Sequence, residues 1–396
     1  MKQPLNVLVV GGGMYVTGRG TSTYGTIMPA LLEARKIGQV GKIAIATTNK
    51  DSAEYALNHS QELADKMGVE FLGVAFPKSG VDEKAYLQAC EQFSPDVAIV
   101  SVPDHLHCDV TVPLLDRGLH CLLVKPMAST LEEAKRMAIV AKKNNVVAEV
   151  EFHKRLDDSN LLLLDRIRKG DLGELLYAVI EYSQKKMIPT DIFRSWADQT
   201  NIFQYLGVHY VDLILYVTGF HPLKVTAWGQ KEFLPEQGVD TWDSMQVVVE
   251  WEKENGKPFI STHITNWIDP NCTSAMSDQK INMVGTKGRF QADQKHRGVQ
   301  IVLDDQGVQD VNPYFNICHQ DPVSGKLTFS GYGISSILQF ISDVSSFISG
   351  NIDLKTIEKE RPSFQAALIS TAVLEAAGES LRIGSIPVTI ETRLSK

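Results

Sequence analysis

Short apolar runs alternate with amphipathic stretches over the first third of the chain. The runs are rich in Val, Ile and Ala, which is typical of strands buried in a parallel sheet. The stretches between them carry apolar residues at helical spacing, so we expect βαβ units around a parallel sheet. The predicted strands cover residues 6–10, 42–46, 71–74, 97–102, 121–124 and 146–150, and the predicted helices cover residues 26–36, 52–66, 83–93 and 131–144.

The pattern changes near Glu151. From residue 175 onward, strand-like runs follow one another without helical patterns between most of them, which indicates an antiparallel sheet. The predicted strands cover residues 175–182, 225–229, 244–251, 259–265, 280–284 and 289–292, with helices predicted over residues 203–218 and 363–382. We therefore predict an α/β domain with a doubly wound parallel sheet over residues 1–150 and an α+β domain over residues 151–396.

Composition and charge narrow the class of protein. The chain has 396 residues, of which 43% are hydrophobic, so it can bury a core in each domain. Its net charge of −8 argues against nucleic acid or an acidic membrane surface as partner. The five cysteines form no Cys-x-x-Cys pair, so we expect reduced thiols and no metal site. With no secretory signal or membrane span in the sequence, we expect a cytoplasmic protein.

A glycine cluster ends the first apolar run. Gly11, Gly12 and Gly13 follow the predicted strand directly, where glycines permit a tight turn and let the backbone approach a pyrophosphate. Tyr15 and Val16 continue this loop, and Val16 takes the place of the third glycine in the G-x-G-x-x-G fingerprint. We expect the loop to bind a dinucleotide, with Arg19 in its long extension adding positive charge.

The end of the second strand informs the choice of cofactor. NAD sites usually place an Asp or Glu there, but this chain has Thr47 and Thr48, followed by Lys50. Hydroxyl groups and a lysine would accept a 2′-phosphate that a carboxylate would repel. The cofactor is expected to be NAD or NADP, and this strand end favours NADP.

Three later segments carry a family resemblance. They are residues 102–107 (VPDHLH), residues 124–126 (VKP) and residues 207–212 (GVHYVD). In this order they resemble the T-P-N-x-x-H, E-K-P and D-x-G-x-H-x-x-D motifs of the glucose–fructose oxidoreductase, inositol dehydrogenase and rhizopine catabolism (Gfo/Idh/MocA) family. The resemblance implies a Rossmann domain followed by an open-faced sheet domain, an NAD(P) cofactor, and hydride transfer at a hydroxyl or keto carbon of a sugar, sugar derivative or cyclitol.

The same resemblance assigns catalytic roles by position. Lys125 matches the family's catalytic lysine, and Pro126 suggests a cis peptide bond that aims it. His209 matches the acid/base histidine, a role that suits an imidazole at physiological pH. Tyr205 stands where the family has an aspartate, four residues before His209 and so on the same face if the segment is helical. We therefore expect a Lys/Tyr/His set.

Further contacts are expected from the resemblance. Beside the glycine loop and Lys125, the cofactor contacts are expected from Val102, Pro103, His107 and Trp196. The substrate contacts are expected from Lys125, Arg155, Arg194, Tyr205 and His209. The chain departs from the motifs at Asp104, where the family has Asn, and at Val124, where it has Glu.

Two alternative functions and one assembly prediction remain. Relatives with this architecture include glycosidases that use NAD for transient oxidation, and non-catalytic regulators that sense sugar or cofactor. For the leading function the partner is a small sugar or cyclitol substrate. Since an open sheet face is costly when it stays unpaired, we also expect a homodimer or homotetramer.

Overall fold

A computed structural model describes residues 3–390 of the chain. The strands are β1 (Leu5–Val10), β2 (Val40–Ala46), β3 (Gly73–Phe76), β4 (Val97–Val100), β5 (His120–Val124), β6 (Ala148–Glu151), β7 (Leu175–Lys185), β8 (His221–Gln230), β9 (Ser244–Glu252), β10 (Pro258–Asp269), β11 (Ser277–Gly285), β12 (Arg289–Asp293), β13 (Gln300–Leu303), β14 (Gly307–Asp310), β15 (Ile317–Gln320), β16 (Leu327–Ser330) and β17 (Val388–Thr389).

The helices are α1 (Met14–Thr17), α2 (Ile27–Lys36), α3 (Lys50–Met67), α4 (Ala85–Phe93), α5 (His107–Leu115), α6 (Leu131–Lys143), α7 (Asp158–Arg168), α8 (Val208–Thr218), α9 (Phe233–Glu236), α10 (Tyr332–Ile348), α11 (Leu354–Glu360) and α12 (Phe364–Arg382). Short 3₁₀ turns lie at Asp104–Leu106, His153–Leu156 and Ala197–Gln199, and π-helical turns at Ile188–Ile192 and Phe203–Gly207. Among the described helices, none combines the length and apolar character needed to cross a membrane.

The described chain forms two compact units, and neither is continuous in sequence. The first consists of the chain up to Met127 together with Glu132–Leu156 and Tyr314–Ala367. The second consists of Ala128–Leu131, Asp157–Pro313 and the chain from Leu368 onward. The sequence analysis assigned every residue after 150 to one domain. The segment that begins at Tyr314 lies in the first unit because α10 packs against α2 and the turn after β6.

The first unit contains the predicted parallel sheet. Its six strands follow the order β3-β2-β1-β4-β5-β6, all parallel, which is the order of a dinucleotide-binding α/β fold. The sheet's apolar residues are joined in one core by Ile337 and Phe340 of α10. The strand predicted over residues 71–74 begins two residues later, since β3 covers Gly73–Phe76. Phe71 packs against this core from the preceding loop.

The second unit contains a seven-stranded sheet in the order β12-β11-β7-β10-β9-β8-β17. Its pairs are antiparallel except β7 with β10, so the predicted mostly antiparallel sheet is confirmed. One face buries large side chains such as Trp251 and Trp267. The predicted helix over residues 203–218 is a π-helical turn followed by α8, and Gly207 in that turn has no side chain to overlap the ring of Phe203.

Candidate active site

The glycine loop of the first unit is packed on one side and open on the other. Gly11 has a φ of +115°, and a Cβ there would overlap the carbonyl oxygen of Ser101, so only glycine fits. A Cβ on Gly12 would lie 3.0 Å from Cγ2 of Thr47. A Cβ on Gly13 would meet nothing within 4 Å. The loop is thus anchored to the strand ends and leaves an open approach at Gly13, which fits a dinucleotide pyrophosphate.

The extension of this loop leads Arg19 to the start of α3. Its Nη1 donates to Oγ of Ser52 at 3.0 Å, and its guanidinium lies 4.9 Å from the ring centroid of Tyr55. Asn49 caps α3 by accepting from the Ser52 backbone N–H at 2.9 Å. A cation therefore lies beside the first turn of the helix that follows β2, near the strand end where the sequence analysis expects a 2′-phosphate to be accepted.

The other residues at the end of β2 have hydrogen-bond or ion-pair partners of their own. Oγ1 of Thr47 donates to the carbonyl of Asn49 at 2.8 Å, and the Thr48 carbonyl accepts from the Asp82 N–H. Lys50 pairs with Glu54 one turn later, with Nζ 3.4 Å from Oε1. Both side chains of this pair are largely exposed, so it holds Lys50 only weakly.

Lys125 follows β5 directly and is buried, with 7% of its surface exposed. Its peptide bond to Pro126 is cis, as the sequence analysis expected. Burial lowers the pKa of Lys125 to about 8, although the negative charges of Asp104 and Glu151 raise it. The amine therefore lies close to its titration point near neutral pH, while two carboxylates favour its ammonium form.

His107 connects the loop after β4 to the turn after β5. Its Nδ1 lies 2.7 Å from the carbonyl oxygen of Pro126, and its Nε2 lies 3.0 Å from that of Val102. Burial lowers the pKa of His107, and a neutral imidazole donates to one of these carbonyls at a time. Pro103 precedes the 3₁₀ turn in this loop. The contacts connect the loop after β4 to the residue that directly follows Lys125.

Glu151 ends β6 and is the centre of a buried polar cluster. Its Oε2 lies 2.9 Å from Nδ1 of His153, and its Oε1 accepts from Oγ of Ser336 at 2.6 Å. The hydroxyl of Tyr15 lies 3.5 Å from the same His153 nitrogen. The pKa of Tyr15 is raised well above its ordinary value, first by burial and then by Glu151. The His153 ring also stacks on Tyr332 at 5.7 Å.

Arg155, a predicted substrate contact, lies in the turn His153–Leu156 and is 8% exposed. Its positive charge lowers the pKa of Glu149, but burial and the charge of Asp343 act the other way and raise that pKa to about 8. The positive charge of Arg155 therefore acts on a buried carboxyl of β6.

In the second unit, Tyr205 and His209 lie on either side of the junction between the π-helical turn and α8. π-Helical turns occur often at functional sites. His209 is 2% exposed and stacks on Tyr182 at a ring distance of 6.4 Å. Tyr205 is half-buried, with its ring 5.1 Å from Phe193 and 5.6 Å from Trp267.

Trp196 belongs to the same aromatic group as Tyr205. Its ring lies 4.5 Å from Phe193 and 6.2 Å from Tyr205. Arg194 is exposed, and its guanidinium donates to the carbonyls of Thr190 at 3.3 Å and Gln237 at 3.1 Å. The structure thus groups Trp196 with Tyr205, and it holds Arg194 by backbone carbonyls of its own unit. The substrate and cofactor roles of these residues stay predictions.

The sequence analysis missed the cluster around Glu151. Two carboxylates, Glu149 and Glu151, lie two residues apart in an otherwise apolar strand, and buried carboxylates require partners. That pattern was a usable signal. The partner Ser336 could not be found in this way, because nothing local in the sequence brings α10 to β6.

Comparison with known proteins decides the family. The model described as "Oxidoreductase family, NAD-binding Rossmann fold" matches residues 5–152, and the model of the GFO/IDH/MocA C-terminal domain matches residues 161–291. The chain belongs to the Gfo/Idh/MocA family. The resemblance found in the sequence motifs is therefore confirmed, as is the fold class.

Individual relatives are distant. A levoglucosan dehydrogenase from Pseudarthrobacter phenanthrenivorans is 27% identical over 55% of this chain and 52% of its own length. A myo-inositol 2-dehydrogenase from Thermotoga maritima is 24% identical over 69% of this chain and 79% of its own length. The matched part of this chain spans about half the length of several curated relatives.

The fold match extends further than the sequence matches. The structure of a levoglucosan dehydrogenase in complex with NADH and levoglucosan aligns with a TM-score of 0.71 at 20% identity, covering 98% of this chain and 100% of that one. At this identity the match demonstrates the fold. Its bound molecules belong to that protein.

Proposed function

We propose that this protein is an NAD(P)-dependent oxidoreductase that transfers a hydride between nicotinamide and a hydroxyl or keto carbon of a sugar, sugar derivative or cyclitol. The observation that carries the proposal is buried Lys125 beside Asp104 and Glu151, in a unit whose family model is NAD-binding. A buried lysine with two carboxylates acting on it is an unusual arrangement for a structural residue. The names of the relatives, which act on levoglucosan and myo-inositol, support the substrate class.

The proposed chemistry divides between two side chains. The glycine loop would hold the dinucleotide, whose nicotinamide exchanges the hydride with the substrate carbon when bound. In the oxidative direction, the imidazole of His209 takes the proton of the substrate hydroxyl. We assign to the ammonium of Lys125 the role of stabilising, through a hydrogen bond, the negative charge that develops on a substrate oxygen. In the reductive direction His209 returns the proton.

The test is net conversion of added cofactor. The purified protein is incubated with NAD⁺ or NADP⁺ and a panel that includes myo-inositol, glucose and levoglucosan, and the absorbance of the reduced nicotinamide is followed. We expect turnover with at least one pair and none with a Lys125→Met control. Cleavage of a glycoside without net cofactor reduction would support the glycosidase alternative, and ligand binding without either reaction would support the regulator.

We further propose that NADP is the preferred cofactor. The support is Thr47 in place of an acidic residue at the end of β2, together with Arg19 hydrogen-bonded to Ser52 at the first turn of α3. A guanidinium suits a phosphate because it offers several N–H donors in one plane. Calorimetric titration should give tighter binding for NADP⁺ than for NAD⁺, and Arg19→Ala should weaken only the former. Equal weakening of both would contradict the role of Arg19 in recognising the 2′-phosphate.

A homo-oligomer is proposed on the open face of the second sheet. The strand register aligns Trp228, Gln246, Ile264, Glu181 and Lys280 in one row across five strands. Trp228 is 45% exposed and Ile264 is 38% exposed, so this face presents apolar area in its centre. Light scattering should show a dimer or tetramer, and Ile264→Lys should shift the population toward monomer. A monomeric parent protein would contradict the proposal.

A further inference from the structure

The polar cluster at the end of β6 is not explained by cofactor binding or by folding alone. Glu151 is 2% exposed, so its carboxylate has left water and depends on the partners that the chain gives it. The turn after β6 supplies His153, and α10 supplies Ser336. Ser336 is 185 residues from Glu151 in sequence, so its hydrogen bond to this carboxylate depends on the packing of α10 against β6.

The sheet register connects this carboxylate to Lys125. In the parallel pair of β5 and β6, Val124 is the register partner of Glu151, and Lys125 is the next residue. The side chain at position 124 is apolar and provides no charge beside the lysine. The carboxylate lies on the adjoining strand, and its negative charge acts on the Lys125 amine.

We propose that Glu151 is a positioning residue for Lys125. Its buried carboxylate, held by His153 and Ser336 on the strand next to β5, keeps the Lys125 amine protonated and orients it. This inference rests on the proposed function, in which the ammonium stabilises a developing alkoxide. Asp104 provides a second negative charge from the turn after β4. The cation is thus supported from two elements of the first unit.

Several titratable groups face this pair and belong to its charge balance. Asp104 and His107 come from the loop after β4 and from α5, and Tyr15 comes from α1. His153 follows β6 and Tyr332 begins α10. The negative charge of Glu151 falls on Lys125 and also on Tyr15, so removing it should lower the pKa of both groups.

Glu149 offers a matched control on the same strand. It lies two residues before Glu151, so both side chains project from the same face of β6, and it is equally buried at 3% exposure. Its Oε1 has no hydrogen-bond partner among the described residues, and its pKa is raised to about 8 by burial first and then by Asp343. Both pKa values lie near 8, so Glu149 is partly ionised where Lys125 titrates, but the charges that act on the pKa of Lys125 are those of Asp104 and Glu151.

The experiment follows Lys125 directly. The protein is labelled with ε-¹³C-lysine, and the Lys125 signal is assigned by its loss in Lys125→Met. The titration of Lys125 is then followed by NMR in the parent protein, in Glu151→Gln and in Glu149→Gln. We expect the midpoint to fall by about one pH unit in Glu151→Gln, the size that a nearby buried charge commonly produces, and to stay unchanged in Glu149→Gln. Glu151→Asp, which keeps the charge, should restore most of the midpoint. Ser336→Ala, which keeps the charge but loses one hydrogen bond to it, should shift the midpoint less than Glu151→Gln does.

A kinetic arm then connects the titration to activity. In the alkaline limb of kcat/KM, Glu151→Gln should lose about tenfold at a pH above the midpoint, since a one-unit fall in pKa leaves tenfold less ammonium. An unchanged ¹³C midpoint in Glu151→Gln, or an equal shift in Glu149→Gln, overturns the proposal whatever the activity. If Glu151→Gln does not fold, a midpoint in Glu151→Asp that lies about one pH unit below the parent's, although the charge is kept, overturns it as well. A shifted midpoint in a protein without dehydrogenase turnover would instead overturn the proposed function and leave the coupling of Glu151 to Lys125 in place.

Discussion

The two compact units supply candidate site residues of opposite character. In the first unit they are charged and deeply buried: Lys125 with Asp104 and Glu151 acting on it. In the second unit they are mostly rings, with half-buried Tyr205 and Trp196 packed on Phe193 and with His209 stacked on Tyr182. A buried positive charge such as the Lys125 ammonium can stabilise negative charge in a transition state, whereas aromatic faces can pack against the C–H face of a polyol.

The difference suggests a division of labour. We infer that the first unit contributes the electrostatic part of catalysis and the second unit contributes proton transfer and recognition of the substrate ring. Changes in the first unit should then alter rate and pH dependence, and changes among the aromatic rings should alter substrate affinity.

The largest effect is expected from Lys125→Met, which keeps an unbranched side chain but removes the amine. We expect kcat/KM to fall by about 10³-fold, the upper range for loss of one group that stabilises a developing oxyanion. Steady-state kinetics measures the loss, and thermal melts show whether the variant still folds, because removing the amine leaves Asp104 and Glu151 without its positive charge. A variant with unchanged turnover would refute the catalytic role of Lys125.

The second effect concerns His209. His209→Asn keeps a polar side chain of similar reach but cannot accept a proton near neutral pH, and we expect about a 10²-fold loss of kcat, the lower range for general acid–base catalysis. The acid limb of the pH profile should flatten, because the group that must be unprotonated for oxidation is gone. A profile that keeps its shape while only the melting temperature falls would make His209 a core residue.

The third prediction tests the buried carboxyl of β6 through stability. The pKa of Glu149 is raised from 4.5 to about 8 in the folded protein. Between these two pH values the folded state keeps a proton that the unfolded state has released. This contribution is complete below the unfolded pKa and is lost as the pH rises through the folded one.

Glu149→Gln removes that dependence because an amide does not titrate. Relative to the parent protein, the variant should gain on the order of 4 kcal/mol between about pH 5 and about pH 9, seen as a rise in its relative melting temperature. An identical pH dependence in both proteins would show that Glu149 is ionised in the fold. Activity at neutral pH should be unaffected, in contrast to Lys125→Met.

Much of the first unit could be predicted from local sequence. The order of βαβ runs indicated the parallel sheet, and the Lys125-Pro126 step after an apolar run indicated the cis peptide bond. The same reasoning did not show what surrounds the lysine. Glu151 reaches it through a strand register, and Ser336 reaches Glu151 through the packing of a distant helix. The two carboxylates of β6 indicate locally that they need partners, but no local signal shows which residues they meet.

The second unit illustrates a different limit. Its strands alternate buried and exposed residues, so the sheet was predictable, but the parallel pair of β7 and β10 depends on pairing between strands far apart in sequence. The π-helical turn before α8 was also unpredictable, because its register depends on how the Phe203 ring packs over Gly207. That turn sets the direction in which Tyr205 projects.

The smallest effect is expected at Tyr205, and it tests the contrast between charge and rings most finely. Tyr205→Phe removes the hydroxyl and keeps the ring contacts with Phe193 and Trp267, whereas Tyr205→Ala removes both. If the ring is the functional part, Phe should change KM less than about threefold, while Ala should raise KM and cost about 1–2 kcal/mol of stability from lost aromatic pairs. Steady-state kinetics and thermal melts of the two variants separate these effects. A large loss of kcat in Tyr205→Phe, with an unchanged melting temperature, would instead show that the phenol acts in proton transfer together with His209. The second unit would then contribute two polar groups to the chemistry.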